Sequence, residues 1–329
     1  MIIDNHFTSE VLKIDAEKES ELITNTINSL LRDRLKRRGI VVAVSGGIDS
    51  SVTASLCVKA VGKSRVLGLL MPERDSSEDT LRLSKLIADY LDIETVHENI
   101  TPILETVGCY KRRDDAIRKV IPEYGPGYKA KIILPSVVDT DSLRLFSVVA
   151  VSPDGKEIKA RLTPEAYLGI VAATNFKQRV RKMLEYYHAD RLNYAVAGTP
   201  NRLEYDQGFF VKLGDGAADL KPIAHLYKTQ VYQMAEYLNI PEEIRTRPPT
   251  TDTYSMPQSQ EEFYFSLPYD KMDLCLYGKN NNIPIEKVAK AVALTVDQLK
   301  RVYHDIDQKR KTTKYLHLKP LLVENISLG

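Results

Sequence analysis

The spacing of apolar residues divides the chain into two kinds of segment. Val11, Leu12, Ile14, Leu22, Ile23, Ile27, Leu30, Leu31 and Leu35 recur at helical intervals among charges. That pattern predicts one or two amphipathic helices over residues 9–37, stopped at Gly39. Ile40 to Val44 is instead an unbroken apolar run, mostly β-branched, as in a strand covered on both faces. Ser45-Gly46-Gly47 interrupts it, and helical spacing returns from Ser50 to Val61 before Gly62. Arg65 to Met71 reads as a second strand stopped by Pro72, Glu78 to Leu91 as a helix, Glu94 to Ile100 as a third strand and Asn193 to Gly198 as another buried strand. Strands alternating with helices of this length predict an α/β fold, a doubly wound parallel sheet flanked by helices.

Residues 105–163 break the alternation. Gly125-Pro126-Gly127 precedes two alternating runs joined by Pro153-Asp154-Gly155, which predicts a β-hairpin insertion. Thr163 as N-cap, with Pro164 at the first helical position, opens a long helix towards Tyr187. Residues 200–224 read as a long loop rich in Gly, Asp and Lys, a kind that commonly carries function when ordered. Helix returns over Lys228 to Leu238 and from Ile285 to about Lys311.

Composition excludes several classes of function. Lys plus Arg number 46 against 44 Asp plus Glu, a net charge of +2, which builds no single-sign field for nucleic acid. No run of about 18 apolar residues offers a membrane span. The N-terminal residues lack the basic and apolar regions of a signal peptide. Cys57, Cys109 and Cys275 lie far apart, which argues against a disulfide framework or a zinc site and makes a reducing cytoplasm the expected location.

The chemistry concentrates in Ser45-Gly46-Gly47-Ile48-Asp49-Ser50-Ser51, between a strand and a helix. Two glycines let the backbone turn tightly, and the amides opening the helix present the positive end of its dipole, so the loop suits phosphate. It has neither the lysine of a Walker loop nor the G-x-G-x-x-G of a dinucleotide fold. Asp49 would repel a bare phosphate but can hold Mg²⁺ beside one.

This loop resembles the pyrophosphate loop of the N-type ATP pyrophosphatases. A second block narrows the resemblance to the NAD synthetase family: Asn175-Phe176-Lys177-Gln178-Arg179-Val180-Arg181, Gly198-Thr199 with Glu204 following, and Gly208-Phe209-Phe210-Val211-Lys212-Leu213-Gly214-Asp215-Gly216 with Asp219. Lys228 and the turn at Pro249-Thr250 keep the same order. The resemblance covers about residues 20–100 and 164–310. It implies one enzyme domain over 1–329, with an insertion at about 105–163 and a helical C-terminal segment at 285–329.

It also implies amide synthesis in two steps, with ATP as co-substrate. A carboxylate of deamido-NAD attacks the α-phosphorus and releases pyrophosphate; ammonia, free or brought by a separate glutaminase subunit, then displaces AMP. Asp49 and Glu204 are the implied Mg²⁺ pair. Lys212 and Lys228 suit the charge that builds at the α-phosphate. Ser45, Gly46, Gly47, Ser50, Ser51, Thr199, Thr250 and Lys309 complete the implied ATP site. Asn175, Arg179, Tyr186, Phe209 and Asp219 are the implied acid-substrate contacts, with Asp215 catalytic towards ammonia. The family implies a homodimer.

The acid-substrate side departs from the family pattern. Val171 stands where an aromatic is usual, Leu70 where an Arg is common, Gln258-Ser259-Gln260-Glu261 replaces Gln-x-Asp-Glu, and Gln308 replaces a His. Two alternatives follow from the sequence: the same amidation on another carboxylic acid, or a nucleotide-binding protein without catalysis. Both α-phosphate lysines and the metal pair are retained, which disfavours the second.

Overall fold

The computed structural model describes residues 7–137, 145–248, 254–256, 258, 264, 265, 267–324 and 326. The N-terminal amphipathic stretch forms α1 (Ala16–Ser29), continues as a π-helical turn over Leu30–Leu35 and ends at Lys36 in a left-handed conformation. The predicted alternation follows as β1 (Ile40–Ala43), α2 (Ile48–Val61), β2 (Val66–Leu70), α3 (Glu78–Leu91) and β3 (Glu94–His97). After α4 (Thr101–Thr106) and α5 (Cys109–Arg118) come β4 (Lys129–Ile133), β5 (Ser147–Val151) and β6 (Glu157–Arg161). The expected hairpin is therefore β5–β6, and β4 joins it to make a three-stranded antiparallel sheet. Thr163 caps α6 (Pro164–Leu192) by accepting from Ala166 N. This helix outruns the expected end at Tyr187 by more than a turn and stops only where Asn193 adopts φ 56°.

The chain returns through β7 (Ala195–Ala197), α7 (Arg202–Gln207), α8 (Lys228–Tyr237), α9 (Glu242–Thr246), α10 (Tyr269–Asn280), α11 (Ile285–Ala291) and α12 (Val296–Thr313). Two expectations change here. The loop at 200–224 contains α7, and the single helix expected over Ile285 to Lys311 is two. Ala293 at φ 54° ends the first, and Thr295 with Gln298 forms the capping box of the second.

The main sheet has the order β3-β2-β1-β7, every pair parallel. Its β-branched strands are covered on both sides. Ile40, Val42, Ala195 and Ala197 pack with α1, α2, α3 and α8, while Val41, Leu67, Leu69 and Val196 pack with α4, α5 and α6. A third core joins the antiparallel sheet to α5 and the start of α6, and a fourth unites α10, α11 and α12. Winding runs from β1 to β2 and β3 on one side and to β7 on the other, so the crevice beyond the ends of β1 and β7 is the switch point where such sheets bind ligands. Among the described residues no helix is long and apolar enough to cross a membrane.

Candidate active site

The glycine-rich loop lies at that switch point. Gly46 has φ +72°, and a Cβ there would come within 2.7 Å of Leu83 Cβ and 2.8 Å of Ser84 N, so the turn requires glycine. Ser50 and Ser51 each donate to Gly47 O at 2.9 Å, and Ser50 Oγ lies 3.1 Å from Ser45 Oγ. Gly47 caps α2 without a side chain, which leaves the first helical amides facing outward.

A cavity of about 760 Å³ opens in front of the loop. It brings together Ser45, Gly46, Gly47, Asp49, Ser50, Thr199, Glu204, Lys212, Asp215, Lys228 and Lys309 from the expected ATP and catalytic sets, and Asn175, Arg179 and Phe209 from the acid-substrate set. Ser51 does not line it; fully buried, it braces the loop from behind. Tyr186 and Asp219 do not line it either. Tyr186 Oη donates to Asp219 Oδ1 at 3.4 Å, and Asp219 Oδ2 accepts from Val196 N at 2.8 Å, tying α6 to β7. Thr250 lies outside the described residues.

Asp49, Asn201, Glu204 and Lys228 form the polar centre. Asn201 is the N-cap of α7, and its amide donates to Asp49 Oδ1 at 3.0 Å. In the same capping box Glu204 Oε2 accepts from Asn201 N at 3.1 Å, so a local helix-start signal fixes this carboxylate beside Asp49. Burial, and then the Asp49 charge, push the Glu204 carboxyl up to about 8. Lys228 Nζ pairs with Asp49. Burial works against its charge, but Asp49 and Glu204 outweigh burial and raise its pKa. The first residue of α8, Lys228 is fixed through Asp273 on α10, whose oxygens accept from Lys228 N at 3.2 Å and Thr229 N at 2.7 Å.

Lys212 reaches the cavity differently. Its Nζ donates to Tyr315 O at 2.9 Å and lies 5.4 Å from the Tyr315 ring, while its own carbonyl accepts from Arg179 Nε at 3.3 Å. Lys309 pairs with Asp305 at 2.6 Å and donates to Tyr264 O at 2.6 Å. Asp215 accepts from Val211 N at 2.7 Å, and burial raises its pKa.

Sequence reasoning missed two buried charge groups on α6. Lys177 Nζ lies 2.7 Å from Glu73 and 2.8 Å from Asp75; Arg113 holds Asp75 at 2.6 Å, and Tyr110 donates to Glu73 at 2.7 Å. One turn on, Lys182 pairs with Glu185 at 2.6 Å, and both line the cavity. Lys177 stood inside a quoted motif, but nothing in the sequence names partners about a hundred positions away. Asn201 carried a legible signal, the Asn-x-x-Glu of a capping box.

The NAD synthase family model matches residues 20–120 and 146–315. The chain belongs to the NAD synthase family. It is 59% identical over 312 residues to the NH₃-dependent NAD⁺ synthetase of Mesorhizobium japonicum, covering 95% of this chain and 98% of that one. With the Rhizobium meliloti enzyme of the same name it shares 57% over 320 residues, 97% of this chain and 96% of the other. The fold is shared with solved structures. An NMN synthetase from Francisella tularensis superposes with a TM-score of 0.66 at 21% identity, over 95% of this chain and all of that one. An NH₃-dependent NAD synthetase from Campylobacter jejuni superposes with 0.62 at 22%, over 94% of this chain and all of that one. The NAD synthase match skips residues 121–145, a narrower gap than the 105–163 insertion expected from the sequence.

Proposed function

We infer that this chain is a ligase that makes NAD from deamido-NAD, ATP and ammonia. The observation that carries the reading is the placement of both lysines and both carboxylates of the family motifs in one cavity at the switch point, in a chain closely similar to NH₃-dependent NAD⁺ synthetases along nearly its whole length. A carboxylate oxygen of deamido-NAD bonds to the α-phosphorus of ATP as the bond to pyrophosphate breaks. Ammonia then adds to the acyl carbon, loses a proton and expels AMP. Lys228 and Lys212, which both line the cavity, would stabilise the charge that builds at the phosphates. Asp215 would take up the proton from ammonia, and Arg179 and Asn175, which line the same cavity, would hold the acid substrate.

Two adjacent carboxylates with an amide, and no richer acidic cluster among the described residues, fit Mg²⁺, which takes one or two protein carboxylates and completes its shell with phosphate and water. Asp49 and Glu204 would hold it, and it would neutralise phosphate oxygens as pyrophosphate leaves. Free buried thiols at Cys57, Cys109 and Cys275 favour the cytoplasm. On α6 the exposed Leu168, Ala172, Arg179, Met183 and Tyr187 share one face, at spacings of four and seven residues. An apolar seam of that kind supports a homodimer.

Supplying ATP, Mg²⁺, ammonium and deamido-NAD is expected to yield NAD, AMP and pyrophosphate in equal amounts. Release of AMP with a different acid, and none with deamido-NAD, would move the assignment to another amide ligase.

A further inference from the structure

A second cavity, of about 1160 Å³, adjoins the first; Arg247 and Tyr254 line both. One wall is the loop Tyr124-Gly125-Pro126-Gly127-Tyr128 with Lys129 of β4, inside the stretch that the NAD synthase match skips. Arg74 with Ser76 and Ser77, where the 14-residue α3 begins, also lines the cavity. The amidation reading uses none of these groups.

The charges here are unevenly satisfied. Among the lining acids, Asp75 is held by Lys177 and Arg113, Asp114 by Arg113 and Asp79 by Arg82. Of the lining cations, Arg113, Lys111 and Arg118 are matched to carboxylates. Arg247 donates only to Ser77 Oγ, at 3.3 Å, and Lys129 has no carboxylate partner among the described residues. Arg74 stacks on Tyr110 at 3.6 Å and reaches Asp75 only at 3.9 Å. Three cations without a close carboxylate partner among the described residues thus line this cavity, and Glu105 is the one lining acid left without a cation among those residues. Helix start and arginines together favour an anion.

An independent feature points to more than an anion. Gln258 lines this cavity and is 2% exposed; its amide nitrogen donates to Ile132 O, but its Oε1 has no hydrogen-bond partner. Among the described residues that buried acceptor is left unpaired, which is costly, and a ligand N–H or O–H in the cavity would satisfy it. Tyr128, half-buried and backed by the buried Tyr124 at 5.4 Å between ring centroids, supplies an aromatic edge to the wall. We propose that this cavity is a second binding site, for a phosphorylated nucleoside. The phosphate lies between Arg74, Arg247 and the start of α3; the ring lies against Tyr128, and a ligand donor meets Gln258.

AMP is a suitable probe, titrated calorimetrically into the full chain with the catalytic cavity saturated by a non-cleavable α,β-methylene ATP. One equivalent of AMP is expected to bind. Lys129→Glu, a change at an exposed strand position outside the catalytic cavity, is expected to weaken that binding about tenfold or more, as is Arg74→Ala, with NAD formation essentially intact. Three results would overturn the site: no AMP uptake by the blocked enzyme, uptake insensitive to both substitutions, or inorganic phosphate binding as tightly as AMP, which would leave an anion site without nucleoside recognition. Because activity is followed separately, a failed second site leaves the amidation reading standing, and loss of amidation leaves the AMP titration interpretable.

Discussion

Burial works against the charge on Lys228, but Asp49 and Glu204 beside it outweigh burial and favour the charged form. The lysine pairs with Asp49, and on the proposed reading Mg²⁺ held by Asp49 would release it towards the phosphates of ATP. Lys228→Gln should therefore cost turnover far more than ATP affinity. The loss of one preorganised donor of this kind lowers kcat by about 10²–10³-fold. Single-turnover release of pyrophosphate is the direct measure; near-normal release with a raised KM for ATP would show that the lysine only binds ground-state nucleotide. At this scale much of the site was legible, because glycines, carboxylates and lysines at fixed offsets are local signals. What was not legible is the exclusion of Tyr186 and Asp219 from the cavity. Their spacing matched, but the hydrogen bonds from Tyr186 and from Val196 to Asp219 hold that carboxylate on the frame.

The elements around the cavity are tied by the Lys177 network, which joins α6 to the segment after β2 and to Arg113 of α5. The side chains of Lys177 and Glu73 are 2% and 0% exposed, so removing the lysine strands buried carboxylates. Lys177→Met is expected to cost about 3–5 kcal/mol, measured by denaturant unfolding at neutral pH. Burial raises the Asp75 carboxyl, but Lys177 and Arg113 outweigh it and hold the group below its ordinary value. Asp75 thus contributes stability that is present above the unfolded carboxylate pKa, near 3.9, and is lost as the pH falls through the lower folded value. In Lys177→Met the penalty should be largest at neutral pH and shrink below about pH 4, as Asp75 takes up a proton. A deficit independent of pH would assign the loss to packing. This tie explains why elements were easier to read than their arrangement. Periodicity and caps located β1, α2, β2, α3, α6 and α8, whereas the break at Ala293 lacked a Gly or Pro, and β4 showed too weak an alternation to be separated from its loop.

For the whole molecule, the open question is what covers α6. Leu168, Met183 and Tyr187 are 63%, 56% and 60% exposed, on the helix whose other side carries the Lys177 and Lys182 pairs. Arg179 belongs both to that exposed stripe and to the cavity, so a partner packed along α6 would also enclose the acid-substrate side of the site. Seams of this kind are stabilised by roughly 25 cal/mol for each Å² of apolar surface removed from water, and a charge placed in the middle would have to be desolvated unpaired. Met183→Glu is accordingly expected to convert a dimer to a monomer in sedimentation velocity while leaving the monomer folded, since the side chain points away from the core. KM for deamido-NAD should rise in that monomer, because Arg179 would face solvent, while KM for ATP, whose proposed site is the glycine-rich loop away from α6, should change little. A variant that stays dimeric would place the interface elsewhere; a monomer with both KM values unchanged would separate assembly from substrate binding.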